Sequence, residues 1–251
     1  MGHGTGTEAR SHAGGVVTVE STIAPEAYTP GPSRPAPAPV PPSGPRRFGI
    51  ERVSLRRTFQ LIRSDYVRMA RHYQFRLGPW KAVEMSTLPA IMGLVMYRFS
   101  HYFYARGWRF FAWPIYTLNM MMTGLDITPS TVIGDSCLLG HTVGTMLSGR
   151  IGRYATILAK VGVGGGRGPS PDGDPNGLPI VGDFVTLGVN STILGPVRVG
   201  DHATVGAHSL VLDDVPESAV VTGIPARVTR MRAPGEGWFG DSVEFEGGSP
   251  S

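Results

Sequence analysis

The sequence predicts a parallel β-helix preceded by a helical segment. Three observations carry this reading. The first is a period of six from about Thr131 to Asp214. Ile133, Leu139, Thr145, Ile151, Ile157 and Val163 share one phase, and Val181, Leu187, Ile193, Val199, Val205 and Val211 resume it after a glycine-rich break. Eleven of these twelve residues are aliphatic; Thr145 is the exception. The second is the residue that follows each phase position. It is glycine in eight of the twelve cases, as at Gly134, Gly140, Gly152, Gly182, Gly188, Gly200 and Gly206. The third is a mostly small residue two places earlier, such as Cys137, Ala155, Ser191 or Ala203. A sustained period of six is neither helical nor a strand alternation. It marks three short strands per coil of about eighteen residues. The aliphatic residues should point into the prism, and the glycines are expected to supply turns at positive φ.

The 251 residues leave room for one or two domains and a real core. Lys and Arg number 23 against 19 Asp and Glu, and much of the excess lies in 46–76. That is a solvated helical surface rather than the concentrated basic face nucleic-acid binding requires. The single cysteine, Cys137, excludes an intrachain disulfide framework and fits a reducing compartment, so the cytoplasm is the expected location.

In chain order, residues 1–47 read as a disordered arm. They are rich in Gly, Ser, Ala and Pro, and such a stretch buries too little apolar area to offset its ordering entropy. No signal-peptide pattern is present in it. Residues 48–122 read as a helical domain. Leu55, Phe59, Ile62, Tyr66 and Met69 recur at helical spacing, which places Asp65 and nearby arginines toward the other side. Gly78-Pro79 interrupts the pattern. Leu88 to Met122 is strongly apolar and aromatic, but Arg98, His101, Arg106 and Arg109 break it. No uninterrupted apolar run reaches spanning length, so two packed helices are expected, with interfacial membrane attachment as the minority reading. The β-helix is expected over 123–231, and a Gly- and acid-rich flexible tail over 232–251.

Several residues together resemble the serine O-acetyltransferase family of hexapeptide-repeat acyltransferases. They are the helical segment, Gly124-Leu-Asp-Ile, His141 in Leu139-Gly-His-Thr-Val-Gly, and the closing Gly223-Ile-Pro-Ala-Arg227. The resemblance covers roughly residues 55 to 231. It implies that the β-helix is left-handed, an exception to the usual crossover rule. It also implies acetyl transfer from acetyl-CoA to a hydroxyl, with no metal, in a homotrimer or a dimer of trimers. A hydroxyl needs a base near its proton, and histidine suits that task near neutral pH. By resemblance, His141 is the base and Asp126 orients its ring and stabilises the imidazolium. Gly164 and Gly165, in the glycine-rich break, match a loop against the pantetheine arm, where a backbone NH would steady the oxyanion. Gly188, Ala203 and Ala207 match a CoA groove between subunits, and Arg227 is placed for a CoA phosphate.

The chain departs from the family pattern on the acceptor side. Gly140 stands where the family has aspartate, Gly177 and Leu178 where it has Arg-His, and Thr128 where it often has histidine. The acceptor therefore stays open between L-serine and another hydroxyl, on a sugar, a polysaccharide or a natural-product intermediate. Asp172 or Asp174 would be candidates for replacement contacts. The terminal Gly-Ser-Pro-Ser lacks the isoleucine that the family's sulfhydrylase partner captures. Two other classes fit less well: a metal-dependent carbonic anhydrase, for which His202 and His208 are six apart and should not converge, and a non-catalytic scaffold trimer.

Overall fold

The computed structural model describes residues 52–76, 78–166, 168, 176–233 and 236. The proline-rich arm, Asp172 and Asp174, and most of the expected tail lie outside them. Four helices come first: α1 (Leu55–His72), α2 (Pro79–Ser86), α3 (Pro89–Ala105) and α4 (Arg109–Thr123). The Ser54 side chain accepts from the Arg57 N–H and opens α1, and Pro79 sits in the first turn of α2. Gly124, at φ 69°, closes α4.

The strands follow in coils. The first coil holds β1 (Asp126–Ile127), β2 (Val132–Ile133) and β3 (Leu138–Leu139). The second holds β4 (Met146–Leu147), β5 (Arg150–Ile151) and β6 (Thr156–Ile157). The third holds β7 (Gly162–Gly164), β8 (Ile180–Val181) and β9 (Thr186–Leu187), and the fourth β10 (Thr192–Leu194), β11 (Arg198–Val199) and β12 (Thr204–Val205). Then come β13 (Leu210–Val211), β14 (Ala219–Gly223) and β15 (Ala226–Met231). They build three parallel faces of a left-handed β-helix: β1-β4-β7-β10-β13, β2-β5-β8-β11, and β3-β6-β9-β12-β14. β15 folds back antiparallel on β14.

Val132 lies opposite Arg150, Leu138 opposite Thr156 and Thr192 opposite Leu210, each eighteen residues on. All twelve phase residues are buried, at 4% exposure or less. The first face nevertheless slips. Asp126 pairs with Met146 and Ile127 with Leu147, twenty residues on. Leu147, not Thr145, is therefore the inward strand residue of the second coil. Thr145 sits just before it, fully buried at the corner, and its hydroxyl is used locally. It donates to the His141 carbonyl (3.1 Å) and accepts from the Lys160 N–H (3.1 Å).

The repeat glycines work differently from the sequence expectation. None of Gly134, Gly140, Gly152, Gly182, Gly188, Gly200 and Gly206 has positive φ. The left-handed turn comes two residues later, at Ser136, Tyr154, Phe184, Asn190, His202 and His208. Most of these glycines are required by the approach of the next coil. A Cβ on Gly134 would meet the Arg153 nitrogen at 2.6 Å, and one on Gly188 the Ala207 nitrogen at 2.6 Å. Three of the left-handed residues stack as rings along one edge. Tyr154 and Phe184 lie 4.9 Å apart, Phe184 and His202 4.8 Å, all nearly parallel. The Arg68 guanidinium covers the Tyr154 end at 5.3 Å.

The expected face of α1 is also displaced. Leu55 and Phe59 are exposed, while Thr58, Leu61, Asp65, Arg68 and Met69 are buried. Asp65, expected toward solvent, is 2% exposed. It is held there by Arg98 of α3, which donates through Nε (3.0 Å) and Nη2 (3.2 Å) to the carboxylate. Arg98 also donates to the Ile133 and Gly134 carbonyls, both at 2.6 Å, and Asp65 accepts the Cys137 N–H at 2.9 Å. Beside this pair Cys137 is buried, and burial pushes its thiol up to about 12. Removing one partner of a buried pair leaves an uncompensated charge. Arg98→Met should therefore lower stability by about 3–5 kcal/mol in urea unfolding. A midpoint equal to the parent's would show that the pair does not tie the helices to the coils.

Candidate active site

Asp126 begins the first face, directly after the Gly124 turn that ends α4. His141 lies on the corner between β3 and β4 and is exposed. The register slip lengthens this corner, and backbone hydrogen bonds pin it at both ends. Gly140 N–H donates to the Ile157 carbonyl (2.8 Å), and Gly144 N–H to the Gly124 carbonyl (3.3 Å). Thr145 then joins the two candidate residues. Its carbonyl accepts from the Asp126 N–H (3.0 Å), while its hydroxyl holds the His141 carbonyl. In the single chain no hydrogen bond joins the Asp126 carboxylate to the His141 ring.

The carboxylate has another partner, one that sequence reasoning missed. Tyr116 of α4 donates its hydroxyl to Asp126 Oδ1 at 2.8 Å. Partial burial, together with the adjoining carboxylate, pushes this phenol up to about 12. It therefore keeps its proton, and its role as donor, through the neutral range. No spacing in the sequence points to Tyr116. It looks like one more aromatic residue of an apolar helix.

The outward residues of the first face run Asp126, Met146, Gly162, Thr192, Leu210. Gly164 lies in this face; a Cβ there would come within 3.6 Å of the Met146 methyl. Gly165 follows at the base of the insertion, and a Cβ on it would meet Leu178 at 3.3 Å. Gly177 and Leu178 thus stand beside the glycine loop, with an apolar chain where the resemblance implies Arg-His. Gly188 and Ala207 occupy successive turns of the same edge as His141, between the third and first faces.

Ala203 does not share that edge in the single chain. It lies on the edge between the second and third faces, fully buried in the core. Its carbonyl accepts from the Thr186 N–H (3.0 Å) and its N–H donates to the Gly200 carbonyl (3.3 Å). Small size there serves the interior of the prism. Arg227, on β15, is exposed and pairs with Asp213 at 3.2 Å. An exposed pair of this kind is weak. His202 and His208 sit on different edges, His202 stacked on Phe184 and His208 Nδ1 3.0 Å from the Asn190 amide nitrogen.

Comparison with known proteins agrees with this fold. Residues 179–213 match the family model described as bacterial transferase hexapeptide (six repeats). The chain is 32% identical to a serine acetyltransferase of Mycobacterium tuberculosis over 153 residues, 59% of this chain and 64% of that relative, so it spans less than two thirds of that protein. It is 31% identical to a serine acetyltransferase of Helicobacter pylori over 149 residues, 57% of this chain and 84% of the relative. The crystal structure of the Neisseria gonorrhoeae serine acetyltransferase in complex with serine is similar, with a TM-score of 0.59 and 28% identity. That match covers 68% of this chain and 69% of the other. The hexapeptide prism, its helical start and these relatives together show that the chain belongs to the serine acetyltransferase family.

Proposed function

We propose that the protein is an acetyl-CoA-dependent O-acetyltransferase of the serine acetyltransferase type, converting L-serine and acetyl-CoA to O-acetyl-L-serine and CoA. The observation that carries this reading is the Thr145 link, which sets the His141 corner directly against the strand bearing Asp126. His141 is the general base that takes the acceptor's hydroxyl proton as the oxygen attacks the thioester carbonyl. The tetrahedral intermediate then expels the CoA thiolate, and the imidazolium supplies its proton. Asp126 orients the ring and stabilises the imidazolium. Tyr116 holds the Asp126 carboxylate through Oδ1 and leaves Oδ2 for the ring. The donor lies along the first face, with Gly164 and Gly165 beside the thioester, Gly188 and Ala207 along the pantetheine, and Arg227 toward a phosphate. Family membership supports a homotrimer, in which a neighbouring copy completes this groove, and the buried free Cys137 fits a cytoplasmic enzyme.

One observation favours a second reading of the acceptor. Gly140, Gly177 and Leu178 leave no charged side chain at the positions that would grip an amino acid's amine and carboxylate. The same engine would then serve another hydroxyl, on a sugar, a polysaccharide or a natural-product intermediate.

A thiol-release assay with an acceptor panel separates the two. Serine-dependent release of CoA supports the first reading, and release only with other hydroxyl acceptors the second. With whichever acceptor is active, His141→Ala should lower turnover by at least about a hundredfold in a folded protein, within the range of base catalysis. Near-parent rates would remove His141 as base. Tyr116→Phe deletes a hydrogen bond to a carboxylate and should lower kcat roughly tenfold while KM for acetyl-CoA holds. An unchanged kcat would reduce Tyr116 to packing.

A further inference from the structure

Residues 85 to 125 contain no aspartate, glutamate or lysine; their charged residues are Arg98, Arg106 and Arg109. Arg98 is buried in the pair with Asp65, so the charge this segment shows to solvent is the cationic pair Arg106 and Arg109. Their guanidiniums lie over the rings of Tyr102 (4.6 Å) and Tyr104 (5.4 Å). Between them, at the tip of the α3–α4 hairpin, stands Trp108, which is exposed.

α4 then runs on with an apolar face turned outward. Only Ala112, Asn119 and Thr123 of this helix are buried. They form the stripe toward α3, where the Ala112 carbonyl accepts from Ser100 and Asn119 donates to the Gly93 carbonyl. On the other side Phe110 is 83% and Met121 77% exposed, with Trp113 and Leu118 between them. Phe110, Trp113, Leu118 and Met121 fall at i, i+3, i+8 and i+11, one stripe of a helix. A contiguous apolar face of this kind is unfavourable in water and marks a surface that something covers.

The composition selects the cover. Tryptophan, phenylalanine and arginine clustered at one end of an apolar helix are suited to the boundary between headgroups and acyl chains. The helix is only about 22 Å long, at 1.5 Å per residue, and no helix among the described residues is long and apolar enough to cross a membrane. It would lie in the plane of the boundary. A second copy of this segment offers no carboxylate to meet Arg106 and Arg109, whereas anionic headgroups do.

We propose that the hairpin tip and the outer face of α4 form a docking surface for an anionic lipid bilayer. Trp108, Phe110, Trp113 and Met121 enter the headgroup–acyl boundary, and Arg106 and Arg109 meet the anionic headgroups. The protein attaches peripherally, with the first coil held next to the membrane surface. This attachment does not depend on which acceptor the enzyme uses.

The test is sedimentation of the full chain with sucrose-loaded vesicles of phosphatidylcholine alone, or of phosphatidylcholine mixed with phosphatidylglycerol. Binding should be roughly thirtyfold tighter to the mixed vesicles, from two arginines at the surface. It should fall at least about tenfold in the double variant Phe110→Ser with Met121→Ser, from the lost apolar burial. Arg106→Gln with Arg109→Gln, which leaves the apolar face untouched, should abolish the preference for anionic lipid. Absence of binding to either vesicle overturns the proposal. So does a lipid-free mass that falls when Phe110 and Met121 are replaced, because the face would then be a contact between copies of the chain.

Discussion

The ion pair of Asp65 with Arg98 is the constraint on which the arrangement of the molecule depends. Each is 3% exposed at the side chain, and burial disfavours both charges. The pair persists because its remaining hydrogen-bonding capacity is met by the first coil, through the Ile133 and Gly134 carbonyls and the Cys137 N–H. α1 and α3 are thereby joined to a defined point on the prism. α4 packs on α3, so the same pair fixes where α4 ends and where its Tyr116 hydroxyl falls. The Tyr116 hydroxyl thus reaches the Asp126 carboxylate from a helix packed on one that this pair anchors.

The coils add a second constraint, which is repetition at close range. Most of the repeat glycines let adjacent turns approach to a distance a Cβ would not permit, and ring stacking at Tyr154, Phe184 and His202 continues the same spacing outside. Against that regular background the slip at the His141 corner stands out. Two extra residues between Leu139 and Leu147 lengthen the corner relative to the regular spacing of six. Thr145 then braces it from below. A side chain on an ordinary turn of the edge would lack this support.

The prism was legible because every coil repeats one set of contacts, and repetition writes itself into the sequence as a period. What the period could not convey was the purpose of each position. The glycines read as turn formers, whereas their lack of a Cβ answers to a neighbour about eighteen residues away in sequence. Ala203 read as a groove residue, yet small size also suits the prism interior, where it lies in the single chain. Thr145 broke the aliphatic pattern visibly, yet a single polar residue does not announce a register change. Asp65 read as solvent-facing because helical periodicity sees only its own segment, and its partner lies 33 residues on. Tyr116 had no signal at all, since its role exists only once α4 is laid against β1.

The candidate chemistry therefore rests on a local geometry more than on a set of residue identities. The proposed base, its proposed orienter and the tyrosine behind them come from the first two coils and α4, while Gly140, Gly177 and Leu178 stand where the resemblance implies charged groups. The most direct measurement is a crystal structure of the oligomer with CoA bound. The account predicts a trimer with the pantetheine along the first face and its sulfur beside His141, past Gly164 and Gly165. A monomer, or CoA seated on the edge that carries Tyr154, Phe184 and His202, would contradict it.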